Sequence, residues 1–268
     1  MLSAYFFTDD GKFNFDTIKN INQFPDLKVF ENYGVDTSDQ IEIVKNYINV
    51  QNKINEKDKN SVRFIKTHSG LSDINGHQFT NLKNSLGVIY MVRDPRSVVK
   101  SYANHNQMTL DKASNRMLEY GATLGGIKNS TNDVDKIITH MNSWSLNYES
   151  WKVFKKFDRY LLIKYEDIID NKEKVFLSIL KFVHKLAKSK FSIDDKKLKN
   201  ILETTTFEYM QDLERNKGFE ESVNIQNNKK IVFFKYGPKA NTPETLPTKI
   251  KEKLEASLKR EMEELGYL

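Results

Sequence analysis

The chain has 268 residues, 38% of them hydrophobic and 29% charged, with a net charge of +6. That length suits one sizeable domain or two small ones, and the charge suits an anionic partner such as a phosphorylated small molecule, a nucleic acid or a membrane surface. Cysteine is absent, which excludes disulfides, thiolate catalysis and cysteine-based metal sites. No apolar run approaches membrane-span length, and the first residues lack the basic region of a signal peptide, so a cytoplasmic chain is expected.

Residues 1–7 (MLSAYFF) read as the tail of an apolar helix, and Thr8-Asp9-Asp10-Gly11 ends it as a turn. A short helix is expected from Asp16, with Phe13 and Phe15 packed beneath it. Pro25 closes that segment. Ser38 or Thr37 can cap a helix that ends near Asn55 and turns Ile41, Val44, Ile48 and Val50 toward a core. Residues 61–65 (SVRFI) are a strand candidate that runs into Lys66-Thr67-His68. Residues 70–84 are polar and irregular and read as a surface connection with a short helix at most.

The next stretch, residues 87–105 (GVIYMVRDPRSVVKSYANH), organises the rest. Its apolar start is short, β-branched and aromatic, which predicts a fully buried strand. Asp94 can cap a helix and Pro95 suits the first helical position. Arg93 then stands at the carboxyl end of a strand, and Ser101 about two turns into the following helix. In open α/β sheets ligands bind at that edge, and a cation beside a helix N-terminus favours an anion.

After His105, breaks at Gly121 and at Gly125-Gly126 suggest mobile helical pieces over a site. Residues 134–154 read as a helix with both tryptophans, Trp144 and Trp151, in the core. A third strand is expected at 160–164, before Tyr165-Glu166-Asp167, with Glu166 and Asp167 in a structural role. Helices are expected at 172–188, from Ser192 through Leu202 and, after Pro243 and Pro247, at 249–264, while residues 204–207 lead into 208–216 and then a polar, Asn/Lys-rich loop. Residues 231–234 are apolar and lead into Lys235-Tyr236-Gly237. Strands separated by helices predict an α/β fold with a mostly parallel sheet.

Three strand ends thus carry polar groups: Lys66 and His68, Arg93, and Tyr165 with Glu166. Together with SWSLNYESW at 143–151, TTTF at 204–207 and FFKYG at 233–237, taken in order, they resemble the sulfotransferase family of the cytosolic type. The resemblance covers nearly the whole chain and implies a P-loop-NTPase-like parallel sheet flanked by helices, in one domain over residues 1–268. It implies transfer of a sulfuryl group from 3′-phosphoadenosine 5′-phosphosulfate to a hydroxyl or amine of a small-molecule acceptor, with no metal. His68 matches the general base and Lys66 the cation beside the transferring sulfonate. Arg93 and Ser101 match the grip on the 3′-phosphate. Tyr165, Thr205 and Phe207 match adenine contacts, and Lys235 and Gly237 match a basic loop over the 3′-phosphate. No nucleic-acid or membrane partner is expected, and a homodimer is left open.

Two departures follow. The family's Pro-Lys-Ser-Gly-Thr-type loop, which cradles the 5′-phosphosulfate with backbone N–H groups, has no counterpart before Lys66. Residues 1–7 match the latter part of the helix that should follow it, so a strand, a loop and a helical turn or two, about 25–35 residues, are expected to be missing. A late-assigned start or a fragment, a degenerate member that binds adenosine 3′,5′-bisphosphate without turnover, and a protein completed by another chain are the three readings, the first being favoured. The second departure is at 235–240, where the family prefers Arg-Lys-Gly and a second glycine. Here the residues are Lys235-Tyr236-Gly237 and then Ala240.

Overall fold

The computed structural model describes residues 1–57, 61–125, 137–219, 224–225, 229–230, 232–234, 237 and 243–268. The strands, in chain order, are β1 (Asn22–Gln23), β2 (Ile65–Lys66), β3 (Asp73–Ile74), β4 (His77–Gln78), β5 (Val88–Val92), β6 (Thr123–Leu124), β7 (Thr139–His140), β8 (Tyr160–Lys164), β9 (Asn224–Ile225) and β10 (Lys229–Lys230). The helices before residue 120 are α1 (Leu2–Phe7), α2 (Phe15–Ile18), α3 (Leu27–Asn32), α4 (Gln40–Lys45), α5 (Tyr47–Lys57), α6 (Pro95–His105) and α7 (Leu110–Leu118). Those after it are α8 (Trp144–Trp151), α9 (Tyr165–Asp170), α10 (Lys172–Leu186), α11 (Asp195–Thr204), α12 (Phe207–Lys217), α13 (Thr248–Ser257) and α14 (Lys259–Glu264).

β5 and β8 pair in parallel, in register from Val88 opposite Tyr160 to Val92 opposite Lys164. Gly87 leads into β5 where a Cβ would collide with Leu186 and lie 3.1 Å from the Arg159 carbonyl oxygen, so the backbone approach requires glycine. Side chains alternate between two covers, as the strand period demands. Val88, Tyr90 and Tyr160 pack on the aromatic cluster of Phe24, Phe30, Tyr47, Phe79, Trp151 and Phe154. Ile89 and Leu161 pack with Ile163, Ile179 and Val183 under α10. The cover ends there: Met91, on the same face as Ile89, is 57% exposed. The expectation of a fully buried strand over β5 therefore holds only at Val92: Val88, Ile89 and Tyr90 are half-buried and Met91 is exposed.

A second parallel pair joins β1 to β2, with Gln23 opposite Lys66. Among the described residues no ladder connects it to β5 and β8, so the α/β class is as expected but the parallel strands form separate pairs. Between them, β3 and β4 make an antiparallel hairpin. Its two turn residues, Asn75 and Gly76, both have positive φ (54° and 84°). Asn-Gly is the dipeptide that such a primed turn requires, and it was the legible signal in a stretch read as irregular.

Other boundaries shift for local reasons. Asp39, not Ser38 or Thr37, caps α4, and its carboxylate accepts the Ile41 N–H at 2.8 Å. The helix breaks at Asn46, so Ile43, Val44, Tyr47 and Val50 are buried while Ile41 is exposed. The helix expected across 134–154 begins only at Trp144. Ser143 caps it by accepting the Leu146 N–H at 3.2 Å, and Asn142 before it has φ of 64°. Residues 139–140 form β7, antiparallel to β6, and 134–136 lie outside the described residues. Trp151 is buried and Trp144 is packed against the core, as read. The final helix is split at Leu258, which is itself buried with Ile250, Leu254 and Met262. The same core takes Ala113 and Met117 of α7, so α7 is built into the fold and is not a mobile piece. Residues 126–133 of that region lie outside the described residues.

α6 is anchored at its start. Asp94 caps it by accepting the Arg96 N–H at 2.8 Å. The Arg96 guanidinium grips both Asp94 carboxylate oxygens, at 3.0 Å from Nε and 2.7 Å from Nη2. It also donates to Glu255 of α13 at 2.5 Å and to the Tyr267 carbonyl at 2.8 Å. Its side chain is 11% exposed. Arg96→Ala would strip the buried Asp94 carboxylate of its guanidinium partner and leave Glu255 with its longer pair to Lys251, with an expected loss of about 3–5 kcal/mol. A urea denaturation midpoint measured against the parent reads that loss, and an unchanged midpoint would contradict it.

Candidate functional site

Register fixes the first contact of the site. Because Val92 stands opposite Lys164 in a parallel pair, the next residues, Arg93 and Tyr165, leave the sheet side by side. The Arg93 guanidinium carbon lies 4.3 Å from the Tyr165 ring centroid. That is a cation–π contact, which holds a flexible cation at the strand ends. Burial raises the Tyr165 pKa, and the nearby Arg93 charge opposes that rise. Glu166 has the structural role expected: it accepts the Asp94 N–H at 3.1 Å and the Tyr267 hydroxyl at 2.9 Å. Asp167 is exposed. Ser101 is part-buried on α6, and its hydroxyl donates to the Val98 carbonyl at 2.9 Å, the usual resting bond of a helical serine.

Lys66 ends β2, and His68 follows with an exposed side chain. The main chain around His68 is tied to one face of α8. Asn147 Nδ2 donates to the His68 carbonyl at 3.1 Å and to the Met141 carbonyl at 2.8 Å. Ser150 Oγ accepts the Leu71 N–H at 2.9 Å, and Trp151 Nε1 donates to the Ser69 carbonyl at 3.1 Å. Asn147 Oδ1 also accepts the Tyr90 hydroxyl at 2.9 Å, which connects this tie to β5. Burial raises the Tyr90 pKa further, so it stays a donor. Sequence reasoning missed Asn147 and Ser150. Their signal was two polar residues on the helix face that also carries Trp151.

On the far side, Thr205 ends α11 and its hydroxyl donates to the Ile201 carbonyl at 2.6 Å. Thr206 caps α12. Phe207 is part-buried, and a Cβ on Gly237 would lie 3.8 Å from its ring, so the structure brings these two together. Lys235 lies outside the described residues. Lys172, at the start of α10, donates to the Leu202 carbonyl at 2.6 Å. Burial lowers its pKa to about 8, with Glu208 opposing.

Between about pH 8 and the ordinary lysine value near 10.5, the unfolded chain therefore holds the Lys172 proton and the folded chain does not. Lys172 thus contributes a rise in stability with pH from about 8 upward, while the buried tyrosines, whose pKa values burial raises, act in the opposite direction near pH 10. The contribution is read as the difference in urea midpoint between the parent and Lys172→Met, expected to shift in favour of the parent from about pH 7.5 to about pH 9.5. A difference that stays constant over that range would contradict the assignment.

Among the described residues, no three His, Asp or Glu side chains are gathered as metal ligands, and no helix is long and apolar enough to cross a membrane. A family model described as a sulfotransferase domain matches residues 9–266. The chain belongs to the sulfotransferase family. Two solved structures resemble it. One is the mouse sulfotransferase SULT7A1 complexed with PAP, at 17% identity and TM-score 0.49, over 75% of this chain and 66% of that one. The other is retinol dehydratase in complex with androsterone and inactive cofactor PAP, at 16% identity and TM-score 0.48, over 75% of this chain and 53% of that one. The chain thus spans less than two thirds of either. No curated protein matches the chain.

Proposed function

We propose that the chain binds the 3′-phosphoadenosine end of 3′-phosphoadenosine 5′-phosphosulfate and transfers its sulfuryl group to a hydroxyl or amine of a small molecule. The observation that carries this is the Arg93–Tyr165 contact at the shared carboxyl ends of β5 and β8. It sets a cation on an aromatic face where a strand gives way to a capped helix, which suits a phosphate attached to a nucleoside. Bound there, the nucleotide supplies the activated sulfonate. The chain supplies the rest. Arg93 and Ser101 hold the 3′-phosphate, with Lys235 and Gly237 over it. Tyr165, Thr205 and Phe207 surround the adenine. Lys66 offsets negative charge at the sulfonate, and His68 takes the proton from the acceptor. The setting is a single cytoplasmic domain with no nucleic-acid or membrane partner and no metal.

A second reading is specific to this sequence. Among residues 1–65 there is no Pro-Lys-Ser-Gly-Thr-type loop, and that loop is what would cradle the 5′-phosphosulfate with backbone N–H groups. A chain working without it would bind adenosine 3′,5′-bisphosphate without turnover. Sulfuryl transfer to a simple phenol, measured beside calorimetric binding of the bisphosphate, separates the two. Transfer with binding supports the first reading, binding alone supports the second, and neither overturns both.

A further inference from the structure

Glu214 occupies the last turn of α12, where the helix dipole disfavours a carboxylate, yet it is only 9% exposed. Its partners explain the position. One carboxylate oxygen accepts the Phe233 N–H at 2.7 Å and the other accepts the Phe234 N–H at 2.9 Å. One turn earlier on the same face, Gln211 Nε2 donates to the Phe234 carbonyl at 2.8 Å. Both backbone groups of Phe234 are thus held by side chains of a single helix. Charge-assisted bonds of this kind are the stronger class.

The aromatic rings of the turn are held as well. Phe234 lies 6.4 Å from Phe15, 6.1 Å from Phe207 and 5.6 Å from Phe219, centroid to centroid. Phe233 meets His105, the last residue of α6, at 6.2 Å. α6 is the helix that carries Ser101. The anchors then step back along α12: Glu214 takes residues 233 and 234, Gln211 takes 234, and Phe207 meets Gly237. Glu214 and Phe207 are seven positions apart, about 10 Å of helix.

We infer that Glu214 and Gln211 are positioning residues that hold the main chain of Phe233 and Phe234 against α12, just before Lys235 in the sequence, and so set the affinity for the 3′-phosphate. The inference rests on the nucleotide reading above. It also runs against simple charge logic, which gives it a sign to test. Removing an anion near a phosphate site should strengthen phosphate binding or leave it alone. Removing a positioning group should weaken it.

The test measures adenosine 3′,5′-bisphosphate and adenosine 5′-monophosphate by calorimetry on the full chain. The variants are Glu214→Ala, Glu214→Gln, Gln211→Ala, Lys235→Ala and the Glu214→Ala, Lys235→Ala pair. Glu214→Ala is expected to weaken the bisphosphate about tenfold and the monophosphate by less than twofold. Glu214→Gln keeps one oxygen acceptor and is expected to fall between the parent and Glu214→Ala. In the Lys235→Ala background, Glu214→Ala is expected to add less than twofold. Gln211→Ala weakens in the same direction and serves if Glu214→Ala does not fold. Equal weakening of both nucleotides, additivity with Lys235→Ala, or unchanged or tighter bisphosphate binding in the folded variants would overturn the inference. A parent chain that binds no bisphosphate would instead overturn the nucleotide reading itself.

Discussion

His68→Ala is expected to lower sulfuryl-transfer turnover by about 100- to 10,000-fold, the range over which a positioned general base contributes. Binding of adenosine 3′,5′-bisphosphate is expected to stay within about twofold, since the ring is assigned to the acceptor and not to the nucleotide. The structure makes this a clean substitution. The side chain is exposed, while the main chain of 68–71 is tied to α8 by Asn147, Trp151 and Ser150. Those bonds use the backbone of residues 68, 69 and 71, so alanine at 68 keeps them. The thermal midpoint is therefore expected to move little. Turnover within tenfold of the parent would remove His68 from the mechanism. A loss of turnover with an equal loss of nucleotide binding would assign it a different role.

The second large effect is on binding. Arg93→Ala, Ser101→Ala is expected to weaken adenosine 3′,5′-bisphosphate about 100- to 1,000-fold. Charge-assisted bonds to a phosphate contribute about 1.5–3 kcal/mol, and each 1.4 kcal/mol is tenfold in affinity. Stability should change far less. Arg93 is part-exposed and rests on the Tyr165 face, a contact of about 1 kcal/mol. Ser101 donates within its own helix, where alanine is the better helix former. Arg96, three residues on, is the internal contrast. Its guanidinium joins Asp94, Glu255 and the Tyr267 carbonyl, so its removal is felt as lost stability. Two arginines three residues apart thus carry opposite expected signatures, in binding for Arg93 and in folding for Arg96.

Much of this was legible locally. β5, α6 and β8 could be read from their short apolar runs and the Asp94-Pro95 junction, because each depends on neighbours in sequence. Asn75-Gly76 was equally local and marked a hairpin. Other features depend on partners far along the chain. The register that sets Arg93 beside Tyr165 joins residues 72 positions apart, as does the Glu166 bond to the Asp94 N–H. The tie from Asn147 to the His68 carbonyl spans 79 positions. Glu214 lies in a charge-rich stretch, and the returning segment at 233–234 caps its carboxylate with two backbone N–H groups. Polar side chains that bond distant backbone leave no periodic trace, so they escape pattern reading.

The account turns on the Arg93 end of the site being a 3′-phosphate pocket. Calorimetry with adenosine 3′,5′-bisphosphate and adenosine 5′-monophosphate, on the parent chain and on Arg93→Ala, Ser101→Ala, tests that directly. The expected result is a parent that prefers the bisphosphate by about 100-fold or more, with the preference abolished in the variant. Equal affinity of the parent for the two nucleotides, or a preference that survives in the variant, would contradict it.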